Sequence, residues 1–168
     1  MVLDIRPILR GEAKRIDIDY FLTPHGISGV SFDEAKIVGD VKDSGGVIEL
    51  SLSTSVRYTG ECARCLEPVE GVFEMDFTRT VAEESSLSEE ALEEEDGIYA
   101  LMKDGRIDVD DELLEELLLS FPTKLLCSED CEGLCQKCGR PKKDGCGCEE
   151  KEIDPRWAAL RDLFKKEK

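Results

Sequence analysis

Apolar and polar residues alternate through most of the first half of the chain, and that alternation predicts strands. Ile16, Ile18 and Tyr20 alternate with Asp17 and Asp19, which puts apolar groups on one pleat face and acids on the other. Thr23-Pro24-His25-Gly26 ends this strand. Val30, Phe32, Ala35, Ile37 and Val41 predict a second strand, with a phase slip between Phe32 and Ala35 of the kind a bulge makes. Gly45-Gly46 then predicts a turn. The clearest run holds Ile48, Leu50, Leu52, Thr54, Val56 and Tyr58, separated by Glu49, Ser51, Ser53, Ser55 and Arg57. A fourth has Phe73, Met75 and Phe77 in phase and continues to Val81. Four alternating strands with short connections predict an antiparallel sheet or meander.

The period changes elsewhere. Pro7 and Gly11 bracket a single helical turn near the start. Asp108 is placed as an N-cap, and Val109, Leu113, Leu114, Leu117, Leu118 and Phe121 follow at helical spacing until Pro122. This helix is expected to cover the sheet. Near the end, Asp154 and Pro155 open a short amphipathic helix with Trp157, Leu160, Leu163 and Phe164 on one stripe, and with Trp157 expected to serve as core. Between residues 83 and 96, eight of fourteen positions are acidic, which predicts a mobile loop. The expected fold is therefore α+β: an antiparallel sheet covered by a helix, with a cysteine-rich segment and a short terminal helix behind it. Residues 1–123 form the expected body and 124–168 the tail.

Charge sharpens that division. The chain carries a formal charge of -17. Residues 1–123 hold 29 acids and 11 bases, giving -18, whereas 124–168 hold 10 acids and 11 bases, giving +1. A body this acidic repels a polyanion over a Debye length of about 8 Å and beyond. A basic protein partner is its better match, and any contact with RNA falls to the tail. No stretch reaches the roughly 20 apolar residues that span a bilayer, and Met1-Val2-Leu3-Asp4 does not read as a secretion signal. A cytoplasmic protein without a membrane partner is expected.

In a reducing compartment, clustered cysteines read as metal ligands. Six fall between Cys127 and Cys148 as C-x3-C-x3-C-x2-C-x7-C-x-C, and Cys62-Ala63-Arg64-Cys65 adds a pair at a turn between strands. Eight thiols make two tetrahedral sets for Zn2+, which takes four thiolates at about 2.3 Å. Cys135-Gln136-Lys137-Cys138-Gly139 has the form of a zinc knuckle, with a glycine where positive φ is needed. The preferred partition joins Cys135, Cys138, Cys146 and Cys148, because the loop through Gly145 can return the chain, and leaves Cys127 and Cys131 to meet Cys62 and Cys65 across a long loop. The other gathers Cys127, Cys131, Cys135 and Cys138. Spacing leaves both open, as it leaves open one ion or two. A closed all-cysteine site serves folding rather than catalysis.

The remaining candidates are few. His25, the single histidine, reads as a solvated turn residue. No phosphate loop, nucleophile elbow or H-E-x-x-H motif occurs, so no catalytic residue is assigned and no enzyme is expected. Lys137, Arg140, Lys142 and Lys143 lie on or beside the knuckle, where they either meet RNA or a partner or balance local acids and thiolates. A direct RNA-binding knuckle and a thiol redox switch at Cys62 and Cys65 are the alternatives to a protein-binding factor.

Several segments together resemble the YceD family of large ribosomal RNA subunit accumulation proteins. They are Arg6-Pro7-Ile8-Leu9-Arg10-Gly11, Cys62-Ala63-Arg64-Cys65-Leu66-Glu67-Pro68 and Asp104-Gly105-Arg106-Ile107-Asp108. The stretch from Leu126 to Cys135, Cys138-Gly139, Cys146-Gly147-Cys148 and Ile153-Asp154-Pro155-Arg156 complete the set. The resemblance implies a role in processing or accumulation of large-subunit ribosomal RNA, and it implies no catalytic residues.

Overall fold

The computed structural model describes residues 1–86 and 98–148. Eight strands form one sheet: β1 (Val2–Asp4), β2 (Arg15–Leu22), β3 (Val30–Phe32), β4 (Ala35–Asp43), β5 (Ile48–Glu61), β6 (Pro68–Glu83), β7 (Tyr99–Lys103) and β8 (Arg106–Asp108). Helix α1 (Arg6–Leu9) is a single turn, and α2 (Val109–Ser120) is the one long helix among the described residues. The order across the sheet is β1-β8-β7-β6-β5-β4-β2, with β3 paired to β5.

The alternating runs became strands in the expected phase. Leu52 faces Phe77, Thr54 faces Met75 and Val56 faces Phe73, so the apolar sides of β5 and β6 share one face. Three expectations change. The sheet is mixed, because β6 and β7 run parallel. The phase slip after Phe32 is a break between two strands rather than a bulge: β3 pairs with Tyr58–Gly60, while β4 pairs with the earlier part of β5 and with β2. Finally, α2 does not cover the whole sheet, which curls into a half-barrel around a shared core.

That curl has a visible anchor. β1 and β2 stand at opposite margins of the sheet. Yet the Tyr20 hydroxyl of β2 donates to Asp110 at 2.6 Å, and Asp110 also accepts from the Met1 amine beside β1. One carboxylate thus draws both margins together. Asp108 caps α2 by accepting from the Asp110 N–H at 3.2 Å. The helix buries Val109, Glu112, Leu113 and Leu117 against the sheet, whereas Leu118, expected on its apolar stripe, is 57% exposed. Glu112 sits inside because Arg79 does: this β6 guanidinium is 1% exposed and donates to Glu112 at 2.8 Å, to Glu115, and to Glu116 at 3.3 Å.

Leu125 carries the chain from the helix back to the sheet. It is 8% exposed and belongs to the core cluster, and a Cβ added at Gly60 would meet it at 2.6 Å. Of the acidic run, Glu83 ends β6 and Glu84–Ser86 form a 3-10 turn. The rest of that expected loop and the expected terminal helix lie outside the described residues.

Candidate metal centre

The turn after β5 is built to hold two sulfurs close together. The Cys62 N–H donates to Glu67 O at 2.8 Å and the Leu66 N–H to Cys62 O at 2.9 Å, with Leu66 in the left-handed region at φ 63°. The Ala63 N–H reaches Leu125 O at 2.8 Å, so the segment beyond Leu125 runs directly past this turn. Arg64 closes the junction by donating to Glu129 O at 3.1 Å and Cys131 O at 2.8 Å. Gly133 completes it at φ 77°, where an added Cβ would stand 3.0 Å from Arg64 O.

These contacts bring Cys62, Cys65, Cys127 and Cys131 together, all four sulfurs within 4.8 Å of one another. Cys65 and Cys127 are 3.5 Å apart and Cys62 and Cys131 3.8 Å. A tetrahedron of sulfurs around an ion at about 2.3 Å has edges of about 3.8 Å. The spacing therefore suits a bound metal.

Cys135, Cys138, Cys146 and Cys148 make the second group. Here a local hairpin does the work. Leu134 bridges Pro141, the Cys135 N–H donates to Arg140 O at 2.8 Å, and the Gly139 N–H to Cys135 O at 2.8 Å. A 3-10 turn at Lys142–Asp144 and left-handed Gly145 and Gly147 return Cys146 and Cys148 to the knuckle. The sulfurs are thus divided 62/65/127/131 and 135/138/146/148, and the contiguous quartet from Cys127 to Cys138 is not what gathers.

The electrostatics of the two groups are alike. N–H groups of Cys127, and then of Arg64 and Cys65, outweigh burial and lower the Cys62 thiol to about 6. The N–H groups of Cys138 and Lys137 do the same for Cys135, also to about 6. The Arg140 N–H and guanidinium lower Cys138. At Cys65 the Glu67 N–H favours the thiolate, but burial and the neighbouring thiols push it up to about 12. Cys146 and the other thiols likewise push Cys148 up to about 12. Each group thus sets a thiol whose ionisation is favoured beside one whose ionisation its neighbours oppose, and a cation among the sulfurs would relieve that opposition.

The four basic candidates separate. Lys143 is tied to Glu67, which joins the second loop to the first turn, and Arg140 leans on the Cys138 sulfur. Lys137 and Lys142 are exposed. The sequence reading assigned no role to Arg64, Glu67 or Leu125. Only the motif Cys62-Ala63-Arg64-Cys65-Leu66-Glu67-Pro68 drew attention to the first two. His25 is exposed in the connection between β2 and β3. No helix among the described residues is long and apolar enough to cross a membrane.

The family model described as "Large ribosomal RNA subunit accumulation protein YceD" matches residues 50–164, a span that contains all eight cysteines. The chain belongs to the YceD family. The match leaves out the Arg6-to-Gly11 segment, so that part of the resemblance stands on the sequence alone. Uncharacterized proteins of Mycobacterium bovis and Mycobacterium tuberculosis are each 33% identical over 135 residues, covering 73% of this chain and 64% of theirs. An uncharacterized protein of Mycobacterium leprae is 32% identical over 104 residues, covering 62% of this chain and 47% of its own length. The matches thus span less than two thirds of these relatives. No solved structure matches the chain.

Proposed function

We propose that this YceD-family chain is a non-enzymatic, cytoplasmic factor in large-subunit ribosome biogenesis, acting in ribosomal RNA processing or accumulation through an acidic body that binds a basic ribosomal or assembly protein. The observation that carries the reading is the family match over residues 50–164. The charge of the body, 29 acids against 11 bases in residues 1–123, supports a basic protein partner.

Two structural Zn2+ ions fit the paired four-thiol groups. Sulfur-only ligation favours zinc among the divalent ions, and four protein ligands leave no open position for a substrate or water. Cys62, Cys65, Cys127 and Cys131 would hold one ion and Cys135, Cys138, Cys146 and Cys148 the other. Native mass spectrometry of the purified chain should find two zinc ions lost together with chelator. Co-sedimentation of the tagged chain with large-subunit precursor particles tests the biological role. A chain that co-sediments with no ribosomal protein or precursor defeats that reading.

Exposed Lys137 and Lys142 on the second loop favour a second reading, direct contact with large-subunit ribosomal RNA. A gel shift with a steep salt dependence, lost on replacing Lys137 and Lys142, is its expected sign.

A further inference from the structure

The outward face of the sheet carries a feature that neither the cysteine groups nor the core accounts for. On β5 the outward residues Ser53, Ser55, Arg57 and Thr59 lie opposite Asp76, Glu74, Val72 and Glu70 of β6. Mostly short hydroxyl side chains therefore form a floor beside a strand that projects three carboxylates. Two hollows follow this line. One of about 420 Å³ is bounded by Ser53, Ser55, Glu74 and Asp76, with Val38 of β4 on its far side. The next, of about 440 Å³, is bounded by Arg57, Thr59, Glu70 and Val72, with Asp33 at its rim.

The charges of this face are unequally satisfied. Asp19 is held by Lys36 at 3.0 Å, Asp17 and Asp40 by Arg15 at 2.6 and 3.4 Å, and Glu49 by Lys42 at 3.4 Å. Glu70, Glu74 and Asp76 have no ion-pair or hydrogen-bond partner among the described residues. Of the two cations at the hollows, Lys36 is already engaged by Asp19, which leaves Arg57 alone against the three carboxylates and Asp33. Apolar surface lies within reach: Val72 is 57% exposed, Val38 39% and Phe21, diagonal to Val38 on β2, 61%.

We infer that this trough docks an extended lysine- or arginine-rich segment of a protein partner. The inference rests on the proposed reading of the body as the part that meets a basic protein, and narrows it to one face. An extended segment presents alternate side chains about 6.8 Å apart, the spacing at which Glu74 and Asp76 project from β6. Long cationic side chains lay their methylene stems on apolar surface while their charged ends meet carboxylates, which suits Val72 and Val38 between the acids. The same unpaired carboxylates exclude a nucleic-acid backbone from this face.

Fluorescence anisotropy tests this with the metal-loaded full chain and a short labelled peptide of alternating lysine and threonine, at about 0.1 M salt. Combined Glu70→Gln, Glu74→Gln and Asp76→Asn should weaken binding about tenfold. The charge-matched control Glu12→Gln, Asp104→Asn and Asp111→Asn should weaken it less than about twofold. Lysine at all three trough positions should abolish binding of the lysine peptide and confer binding of a glutamate-threonine peptide. Equal weakening by the two neutralised variants, or no binding by the unaltered chain, overturns the inference. Either result leaves the ribosomal role standing, because co-sedimentation of the unaltered chain decides that separately.

Discussion

The body and the cysteine segment reach order by different means. Of the nineteen residues in the core cluster, eighteen lie between Ile5 and Phe121, and Leu125 is the last. Beyond it, Cys135 is the single buried hydrophobic residue among those described. A stretch with so little to bury cannot offset its chain entropy through apolar contact. Metal held by the two groups of sulfurs, as proposed above, would supply the difference. The two cysteine groups also differ from each other. The second closes within fourteen residues, while the first joins Cys65 to Cys127 across the whole distal part of the sheet and α2. The folded body has already brought those ends together, so the first group depends on the body in a way the second does not.

Metal removal is the strongest test of this contrast. Chelation should abolish amide-exchange protection across residues 127–148 while β4, β5 and β6 keep theirs. Simultaneous loss in both regions would mean that they form one cooperative unit. Cys62→Ala with Cys65→Ala should remove one ion of two and lower the melting temperature by roughly 10 °C, since a few kcal/mol corresponds to 2–4 °C each in a chain of this size. Loading each group should release protons, because metal binds thiolates and the neighbouring thiols push Cys65 and Cys148 up to about 12 in its absence. Acidification should expel metal as protons compete with it for the sulfurs, and a pH-stat titration measures both effects.

Next in size is Arg79→Ala. It leaves Glu112, which also accepts the Leu101 N–H, buried without its countercharge and should cost about 3–5 kcal/mol in urea unfolding, with the metal count unchanged. Tyr20→Phe removes the hydroxyl that meets Asp110 and should cost about 1–2 kcal/mol. This Asp110 bond also gives a pH sign. Its contacts with the Met1 amine and Tyr20 outweigh burial and hold its carboxyl below the usual range. The stability it contributes is therefore present above the ordinary aspartate value and is lost as pH falls through the depressed one. Smallest is Gly133→Ala, which should weaken metal binding a few-fold through backbone strain beside Arg64 while leaving the body's urea midpoint unmoved.

Strand phase was legible because one face of β2, β5 and β6 is wet and the other dry, and period-two alternation records that directly. The cap at Asp108 was legible for a similar local reason. What escaped was whatever depends on distant partners. β7 and β8 are short, and their Asp104-Gly105 turn, with both residues at positive φ, is a hairpin signal that served in the sequence only as part of a family motif. The parallel register of β6 with β7 has no local signature. Arg79 occupies an inward phase where only the glutamates of α2, thirty-odd residues on, make a cation tolerable. Among the cysteines, spacing offered two partitions, and the deciding contacts, Arg64 to Glu129 and Cys131 and Ala63 to Leu125, join segments about sixty residues apart.

An open sheet ordinarily exposes two rows of unsatisfied amides and carbonyls, each able to template a neighbouring molecule. In this protein one margin is the three-residue β1, and the other, β2, is tied through Tyr20 to the same Asp110 carboxylate that holds the Met1 amine. Loosening that clasp is the change by which the chain would become prone to pair edge to edge with its own copies.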